Sequence, residues 1–198
     1  MNPAVQRKIL PYSFYIQDTT TVAKNLLGKI MVFEGNEGLV SGKVVETEAY
    51  LGINDPSCHS ARGKNRRNAV MFGPSGHAYI YLIYGMYLCF NVTSGPEGSP
   101  EAVLIRALEP LEGIDIMCKN RGQDSIYNLC SGPGKLVQAL GIDMSLNGIS
   151  VVEGRVKFLE QPSPEPFCIV QTTRIGISKA ADWPLRFYIK GSKFVSKK

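Results

Sequence analysis

Apolar and polar positions alternate most clearly over residues 78–91, where tyrosines and aliphatic residues form two short runs. Each run has the length and composition of a β-strand, so the pattern predicts a hairpin that turns at Tyr84-Gly85. Glycine tolerates the positive φ angle that a tight turn requires. The tip would then carry two large side chains, Tyr84 and Met86. Either the whole hairpin is core, since large apolar residues are usually inside, or its tip is an exposed wedge suited to entering a stacked duplex.

The remaining pattern predicts short helices and strands around this hairpin. A helix is expected over residues 18–28, with Asp18 at its start and Gly28 at its end. Two more helices are predicted at residues 112–120 and 133–140, the second capped by Ser131, and further strands at residues 29–33, 39–51, 101–108, 156–159, 172–177 and 185–189. Residues 52–77 are polar and glycine-rich, which predicts a long loop.

These elements indicate one domain rather than several. The sequence has no internal repeat and no convincing linker, and 198 residues are enough for one sizeable core. We therefore expect a single domain over residues 1–198, of mixed α/β class (α+β type). Its sheet should be curved and mainly antiparallel, with flanking helices and a protruding β-hairpin.

Composition and charge narrow the possible partners only slightly. The chain is 44% hydrophobic and 20% charged, as is ordinary for a globular protein, and its net charge of +5 permits an anionic partner without requiring one. Basic residues gather at residues 62–67, where they include Arg66 and Arg67, and again at residues 190–198. Such clusters are ordinarily solvated faces, and the alternative is a patch that binds an anionic partner.

The cysteines and the apolar runs bear on the compartment. Five cysteines, an odd number without a C-x-x-C pair, favour reduced thiols and argue against a disulfide framework or a zinc site. No apolar run follows Arg7-Lys8, so we expect no signal peptide. The longest apolar stretch is broken by Gly85 and is shorter than the ~20 residues of a spanning helix. The expected location is therefore cytoplasmic, with no secretion and no membrane partner.

An acidic strand carries the first candidate chemistry. In residues 44–52 a period of two places Val44, Glu46, Glu48 and Tyr50 on one face and Val45, Thr47, Ala49 and Leu51 on the other, core-facing side. The acidic face could be simply the solvent side of a sheet. Alternatively, a carboxylate beside an aromatic ring and a second carboxylate would gain proton affinity and could act as a general base.

Seven blocks of sequence, in order, resemble those of the alkyladenine (3-methyladenine) DNA glycosylase family in its bacterial form. They are Glu46-Thr-Glu-Ala-Tyr-Leu-Gly52, Asp55-Pro-Ser-Cys-His59, residues 73–87 with Asn91, residues 104–113, residues 129–141, Arg174-Ile-Gly-Ile177 and residues 185–192. The resemblance runs from about residue 40 to the end of the chain. The few departures include Ser75 and Lys193, at positions where relatives often have proline.

The resemblance implies an enzyme of base excision repair. Such an enzyme rotates an alkylated or deaminated purine out of double-stranded DNA and hydrolyses the N-glycosidic bond, which leaves an abasic site. The resemblance assigns Glu48 as the base that deprotonates a water aimed at C1′ of the sugar, and it gives Glu46 an electrostatic or structural supporting role. The walls around the flipped base would be Tyr50, His59 and Tyr81, whose electron-rich rings favour electron-poor methylated purines. Asn91 would obstruct the amino group of guanine.

The resemblance also implies how DNA is held. Tyr84 would fill the gap left by the flipped nucleotide, and Met86 and Tyr87 would press on neighbouring bases. Phosphate contacts are expected from Arg106 and Lys135 and, on weaker grounds, from Arg66 and Arg67. The implied protein is a monomer without a metal or other cofactor, and its partner is duplex DNA with damaged purines.

Other functions explain the residues less completely. A nucleic-acid deaminase needs H-x-E and P-C-x-x-C ligands, and neither occurs here. No lysine stands out as a nucleophile, so no Schiff base and no lyase step are expected. A non-catalytic protein that binds damaged nucleic acid would use the basic loop and the aromatic hairpin, but it leaves Glu48 without a purpose.

Overall fold

A computed structural model of the protein describes residues 8–162 and 165–197, and in this part of the chain one eight-stranded sheet organises the fold. In chain order its elements are α1 (Tyr12–Tyr15), α2 (Thr19–Leu26), β1 (Ile30–Gly35), β2 (Gly38–Tyr50), β3 (Ala78–Ile83), β4 (Tyr87–Ser94), β5 (Glu101–Glu112), α3 (Ile114–Arg121), α4 (Ile126–Leu129), α5 (Pro133–Leu140), β6 (Val156–Leu159), β7 (Ile169–Thr172) and β8 (Arg186–Ile189). Short 3₁₀ turns lie at Gly52–Asn54, Ala69–Phe72 and Met144–Leu146.

The strands pair antiparallel in the order β3-β4-β5-β2-β1-β6, while β8 pairs with both β2 and β7. Helices α2 and α5 pack against one face of this sheet, over the main hydrophobic core. The other face carries a smaller apolar cluster, which includes Tyr79, Tyr81 and Leu104. The predicted α/β class with a curled antiparallel sheet is therefore confirmed, and β2 and β5 are covered on both faces.

Several elements form where the sequence predicts them, for the predicted reasons. Asp18 caps α2, because its carboxylate accepts a hydrogen bond of 2.9 Å from the backbone N–H of Thr21. Strands β3 and β4 pair in register from Ala78↔Val92 to Ile83↔Tyr87, and the turn between them places Tyr84 at φ 54° and Gly85 at φ 71°. A positive φ at tyrosine is uncommon and places local strain at the tip.

Several predicted boundaries are wrong. Strand β5 runs to Glu112 instead of ending at residue 108, and the following helix starts at Ile114, because a register shift beside Gly42 accommodates Pro110 within the ladder. The strand predicted at residues 172–177 lies at Ile169–Thr172 instead, since the chain then leaves the sheet. Ser131 does not cap α5: the N-cap is Gly132, which makes no side-chain hydrogen bond.

The predicted faces of β2 also need correction. The register with β5 shifts between Val44 and Glu46 and again between Glu46 and Thr47, which marks a β-bulge around Val45. The extra residue of a bulge changes the face of the sheet on which the preceding side chain lies. Val44 therefore packs in the main core with Ala49, although the alternation placed it with the glutamates. The interpretation of the acidic face as solvent-exposed is wrong, because Glu46 and Glu48 are both 0% exposed.

The structure bears only in part on the expected absence of a signal peptide and of a membrane-spanning segment. Most of the segment that bears on a signal peptide, residues 1–7, lies outside the described residues. Within the described residues, no helix has the length and apolar character that crossing a bilayer needs.

Candidate active site

A cavity of about 550 Å³ opens over the second face of the sheet, next to the turn between β3 and β4. The walls come from strands β3, β4 and β5, from the loop over residues 52–77 (the 52–77 loop), from the start of α5 and from residues 175–177. Four residues predicted as a base pocket line it together, namely Tyr50, His59, Tyr81 and Asn91. The volume lies within the range of cavities that hold small molecules.

Aromatic rings form one wall of this cavity. The ring centroids of His59 and Tyr81 lie 4.5 Å apart at an interplanar angle of 73°, and those of Tyr79 and Tyr81 lie 5.5 Å apart. The Nδ1 atom of His59 is 2.8 Å from the Tyr79 hydroxyl. Burial lowers the pKa of His59, and the nearby charge of Arg67 lowers it further. Both effects favour the neutral form of the imidazole beside the tyrosines.

The amide of Asn91 is fixed at the cavity wall by the neighbouring strand. Its Nδ2 donates a hydrogen bond of 3.0 Å to the carbonyl of Tyr79, the residue that faces it across the β3–β4 ladder. The side chain is buried, so its hydrogen bond restricts the amide to one orientation. A rigid polar group in this position can discriminate between bases that differ in one amino group.

Glu48 lies directly behind the cavity wall. One oxygen, Oε1, accepts a hydrogen bond of 2.8 Å from the Ile175 N–H and lies 3.2 Å from Nη1 of Arg106. The other, Oε2, accepts a hydrogen bond of 3.0 Å from the Tyr50 hydroxyl. Tyr50, Arg106 and Ile175 all line the cavity, whereas Glu48 does not. The carboxylate is thus one layer of side chains away from any molecule in the cavity.

The surroundings of Glu48 increase its affinity for a proton. Burial raises the pKa of its carboxyl group, and the charge of Glu46 raises it slightly more. Arg106, the Ile175 N–H and the Tyr50 hydroxyl lower this pKa and so offset part of the rise. A carboxylate with a raised pKa is a better proton acceptor than one in water. This arrangement is typical of a general base held in a fixed orientation.

Glu46 holds together a cluster of charges next to Glu48. Its Oε1 accepts hydrogen bonds from Nε of Arg106 at 2.9 Å and from Nε of Arg186 at 2.7 Å. Ser196 completes the cluster, because its backbone N–H donates to Glu46 Oε2 at 2.6 Å and its hydroxyl donates to Oε1 at 2.8 Å. The negative charge of Glu46 is therefore balanced by two arginines and by the hydrogen bonds from Ser196. Glu46 in turn fixes the guanidinium of Arg106, which faces Glu48.

Arg106 is not placed as a surface phosphate contact. Its side chain is only 7% exposed, and its guanidinium bridges Glu46 and Glu48. The physical reason is the pairing of β5 with β2, which brings Arg106 beside the two carboxylates across the bulged part of the ladder. Arg106 still lines the cavity, so it can meet only a group that enters the cavity.

The other predicted phosphate contacts are exposed and lie on two different elements. Lys135 is in the first turn of α5 and lines the cavity, with Nζ 3.3 Å from the Ser131 hydroxyl. Arg66 and Arg67 are in the 52–77 loop, and Nη2 of Arg67 donates a hydrogen bond of 2.9 Å to the carbonyl of Leu82 in β3. Positive charge is thus available on α5 and on this loop.

The turn between β3 and β4 is exposed at its tip. Tyr84 is 77% exposed and Met86 is 68% exposed, so the interpretation that the whole hairpin is core is wrong at this point. The strands behind the tip are mostly buried. Tyr84 and Tyr87 also line the cavity, which places the exposed aromatic tip at the cavity's edge.

Comparison with known proteins places the chain in a family. The family model described as Methylpurine-DNA glycosylase (MPG) matches residues 13–193. The chain belongs to the methylpurine-DNA glycosylase family. The family and the names of its relatives support a DNA glycosylase that acts in DNA repair.

Three relatives, each named provisionally as a 3-methyladenine DNA glycosylase, are similar over almost their whole length. A protein of Methanoculleus marisnigri is 55% identical over 192 residues, which cover 96% of this chain and 99% of the relative. One of Carboxydothermus hydrogenoformans is 53% identical, over 96% of this chain and all of the relative. One of Mesorhizobium japonicum is 46% identical, over 98% of this chain and 91% of the relative.

The structure adds residues to the cavity that the sequence does not single out. Tyr79 could have been found, because it lies two positions before Tyr81 and shares its side of β3. Arg121 also lines the cavity near α5. Arg174 stacks on Tyr50, with its guanidinium carbon 4.7 Å from the ring centroid, and forms a fully buried ion pair with Asp55. Arg174 opens one of the seven family-like blocks, which carried no role for it, and Arg121 lies outside those blocks.

Two thiols also line the cavity. Cys58 and Cys89 both line it, and burial raises the pKa of each thiol. The described residues contain no group of three His, Cys, Asp or Glu side chains that could hold a metal ion.

Proposed function

We propose that the protein is a monofunctional DNA glycosylase that removes alkylated or deaminated purines from double-stranded DNA. The damaged base would rotate out of the duplex into the cavity between Tyr50, His59 and Tyr81, and water would cleave its N-glycosidic bond. One observation carries the proposal: a buried carboxylate, Glu48, lies directly behind an aromatic cavity whose edge bears an exposed aromatic turn.

Glu48 would serve two needs of the reaction. It would take a proton from the attacking water, and its negative charge would stabilise the positive character that develops on the sugar. Arg106 lines the cavity 3.2 Å from Glu48 Oε1, so a water bound to this guanidinium would come next to the carboxylate. Binding of such a water requires that one present contact of Glu48, with Tyr50, Arg106 or Ile175, gives way.

The position of lysine at the cavity favours water over an enzyme side chain as the nucleophile. Among the described residues that line it, Lys135 is the one lysine, and it is exposed at the α5 side. A lysine that forms a Schiff base is usually desolvated or placed beside another cation in the reacting pocket. We therefore infer hydrolysis without a lyase step.

The DNA would approach from the side of the β3–β4 turn. Tyr84 would enter the duplex and occupy the space of the flipped nucleotide, while Met86 and Tyr87 contact neighbouring bases. Lys135 and the pair Arg66 and Arg67 lie on two elements near the cavity and would hold phosphates. The net charge of +5 suits this polyanionic partner, and one domain with one such site suffices as a monomer.

A non-catalytic protein that binds damaged DNA is the second candidate, and one observation favours it. Both oxygens of Glu48 already have hydrogen-bond partners, and the residue does not itself line the cavity. A carboxylate in this state could serve only to position Tyr50 and Arg106. In that case the cavity would bind a flipped base without cleaving its glycosidic bond.

Release of the base distinguishes the two candidates. Duplexes that contain one hypoxanthine or one 7-methylguanine are incubated with the protein, and free base and abasic sites are measured, with an undamaged duplex as control. We expect release from damaged duplexes, and strand breaks only after alkali treatment. Strand breaks without alkali would contradict the monofunctional mechanism. Binding of damaged duplex without release would instead establish the non-catalytic function.

Substitution of Tyr84 tests the proposed wedge. Tyr84→Ala is expected to slow base release from duplex DNA by about tenfold or more, because stacking of an aromatic side chain on a base is worth about 1–3 kcal/mol. Release from a single-stranded substrate, where no stack has to be opened, should change much less. Tyr84→Phe keeps the ring and serves as the control. Equal losses on duplex and single-stranded DNA would show that Tyr84 does not act as a wedge.

A further inference from the structure

Two tyrosines of the cavity wall each carry an arginine on their ring. The guanidinium carbon of Arg174 lies 4.7 Å from the ring centroid of Tyr50, and that of Arg67 lies 5.2 Å from the ring centroid of Tyr81. Both distances are within the ~6 Å range in which the quadrupole of an aromatic ring attracts a cation. Each ring is therefore already engaged in a cation–π contact before any base enters.

The cations approach these rings from outside the cavity. Tyr50 and Tyr81 line the main cavity, and neither Arg67 nor Arg174 does so. Arg67 instead lines a neighbouring cavity of about 500 Å³, the side cavity, which shares a wall at residues 57–59 and 176–177 with the main cavity. A base that stacks on Tyr50 or Tyr81 from the main cavity would thus share that ring with a guanidinium that lies outside the cavity.

Hydrogen bonds hold both cations in place. The two terminal nitrogens of Arg174 bind the two carboxylate oxygens of Asp55, and one of them also donates to the carbonyl of Ala49 at 3.1 Å. Arg67 is anchored more lightly, by one hydrogen bond of 2.9 Å to the carbonyl of Leu82. Arg174 is also almost fully buried, whereas Arg67 is exposed. Arg67 can therefore be replaced without disturbing a buried ion pair.

A cation behind an aromatic ring affects charged and neutral bases differently. It draws electron density from the ring and repels a second positive charge on the opposite face, whereas an uncharged base feels neither effect strongly. The charge of Arg67 does reach this wall, because it contributes to the lowered pKa of His59, whose ring lies edge-on to Tyr81. The electron-rich rings expected from the sequence are thus partly neutralised as sites for a cationic purine.

We propose that Arg67 is a specificity-determining residue, which biases the cavity toward uncharged damaged purines over cationic N-alkylated purines through its contact with Tyr81. This inference rests on the proposed glycosylase function and concerns how the site weighs two classes of its substrates against each other. Arg174 acts in the same direction behind Tyr50. The negative charge of Glu48 opposes both arginines, so cationic purines are disfavoured relative to a site without Arg67 and are not excluded.

The test compares two lesions at one pH in the same duplex context. The kcat/KM for release of 7-methylguanine, which is cationic, is divided by that for hypoxanthine, which is neutral. Arg67→Gln is expected to raise this ratio about five- to tenfold, as the loss of a cation–π partner and of a like charge implies. Any phosphate contact that Arg67 makes affects both lesions and cancels in the ratio.

Two control variants separate ring polarisation from a general loss of charge. Arg66→Gln removes the same charge from the adjacent position of the same exposed loop, and among the ring contacts of the described residues Arg66 makes none. It should lower both rates in parallel and keep the ratio. Arg67→Lys retains the charge and should keep the ratio near that of the wild type.

The outcomes also separate this inference from the proposed function. An equal ratio in Arg67→Gln and Arg66→Gln, with both lesions released by the wild type, would overturn the assignment of Arg67 alone. Failure of the wild type to release either base would overturn the glycosylase proposal, and the inference with it. Circular dichroism of the variants checks that each has folded.

Discussion

Glu48→Gln is expected to lower the rate of base release by about 10²–10⁴-fold, the usual contribution of a general base, while damaged duplex still binds nearly normally. Glutamine has the shape of glutamate but cannot accept the proton of the attacking water. Its carbonyl oxygen can keep the hydrogen bond from the Ile175 N–H, and its amide can donate to the Tyr50 hydroxyl. The substitution therefore removes the chemistry with little change in packing.

The measurement combines single-turnover release of 7-methylguanine with titration of the same duplex in a binding assay. 7-Methylguanine is the informative lesion, because a cationic purine leaves without being protonated. Thermal unfolding of Glu48→Gln provides the folding control. Release within tenfold of the wild type would contradict Glu48 as the base, and loss of duplex affinity in proportion to activity would favour the binding protein over the enzyme.

Asp55→Ala is expected to lower the free energy of unfolding by about 3–5 kcal/mol, because it leaves the buried guanidinium of Arg174 without its counter-charge. Both side chains of this pair are 0% exposed. Asp55 also accepts hydrogen bonds from the backbone N–H groups of Leu51 and Ser57, at 3.2 Å and 3.0 Å. The same substitution should therefore loosen the start of the 52–77 loop, which carries His59.

Urea unfolding of the wild type and the variant measures this effect. Asp143→Ala is the control, because Asp143 is an exposed aspartate that caps the turn at Met144–Leu146 through Ser145, and loss of such a cap costs about 1 kcal/mol. The double variant Asp55→Ala/Arg174→Met should recover part of the lost stability, since it removes the uncompensated charge. A cost for Asp55→Ala no larger than that for Asp143→Ala would show that the buried pair contributes little.

The sequence predicts those parts of the fold and site that depend on local periodicity. The alternation in β3 and β4 locates the turn, and the spacing within β2 and β3 places Glu48 next to Tyr50 and Tyr79 next to Tyr81. Long-range pairing is not visible in such a pattern. The bulge at Val45 arises where β2 pairs with β5 and β8, so no local signal could reveal that Val44 joins the opposite face.

The polar partners of the site were predicted least well, because each comes from a distant part of the chain. Ile175 reaches Glu48 from 127 positions further along the sequence, and Ser196 reaches Glu46 from 150 positions. Arg106 has the composition of a phosphate contact, but whether it faces DNA or a carboxylate depends on which strand lies beside β5. Only the assembled sheet determines this.

The two thiols of the cavity have a consequence for the protein's chemical durability. Reagents that methylate purines are electrophiles, and on a protein they react with thiolates, not with protonated thiols. Burial raises the pKa of Cys58 and of Cys89, which favours the protonated form of each thiol. Cys168 is exposed and is the thiol that such reagents reach first. The raised pKa therefore makes the two cavity thiols poorer targets for the same alkylation that produces methylated purines in DNA.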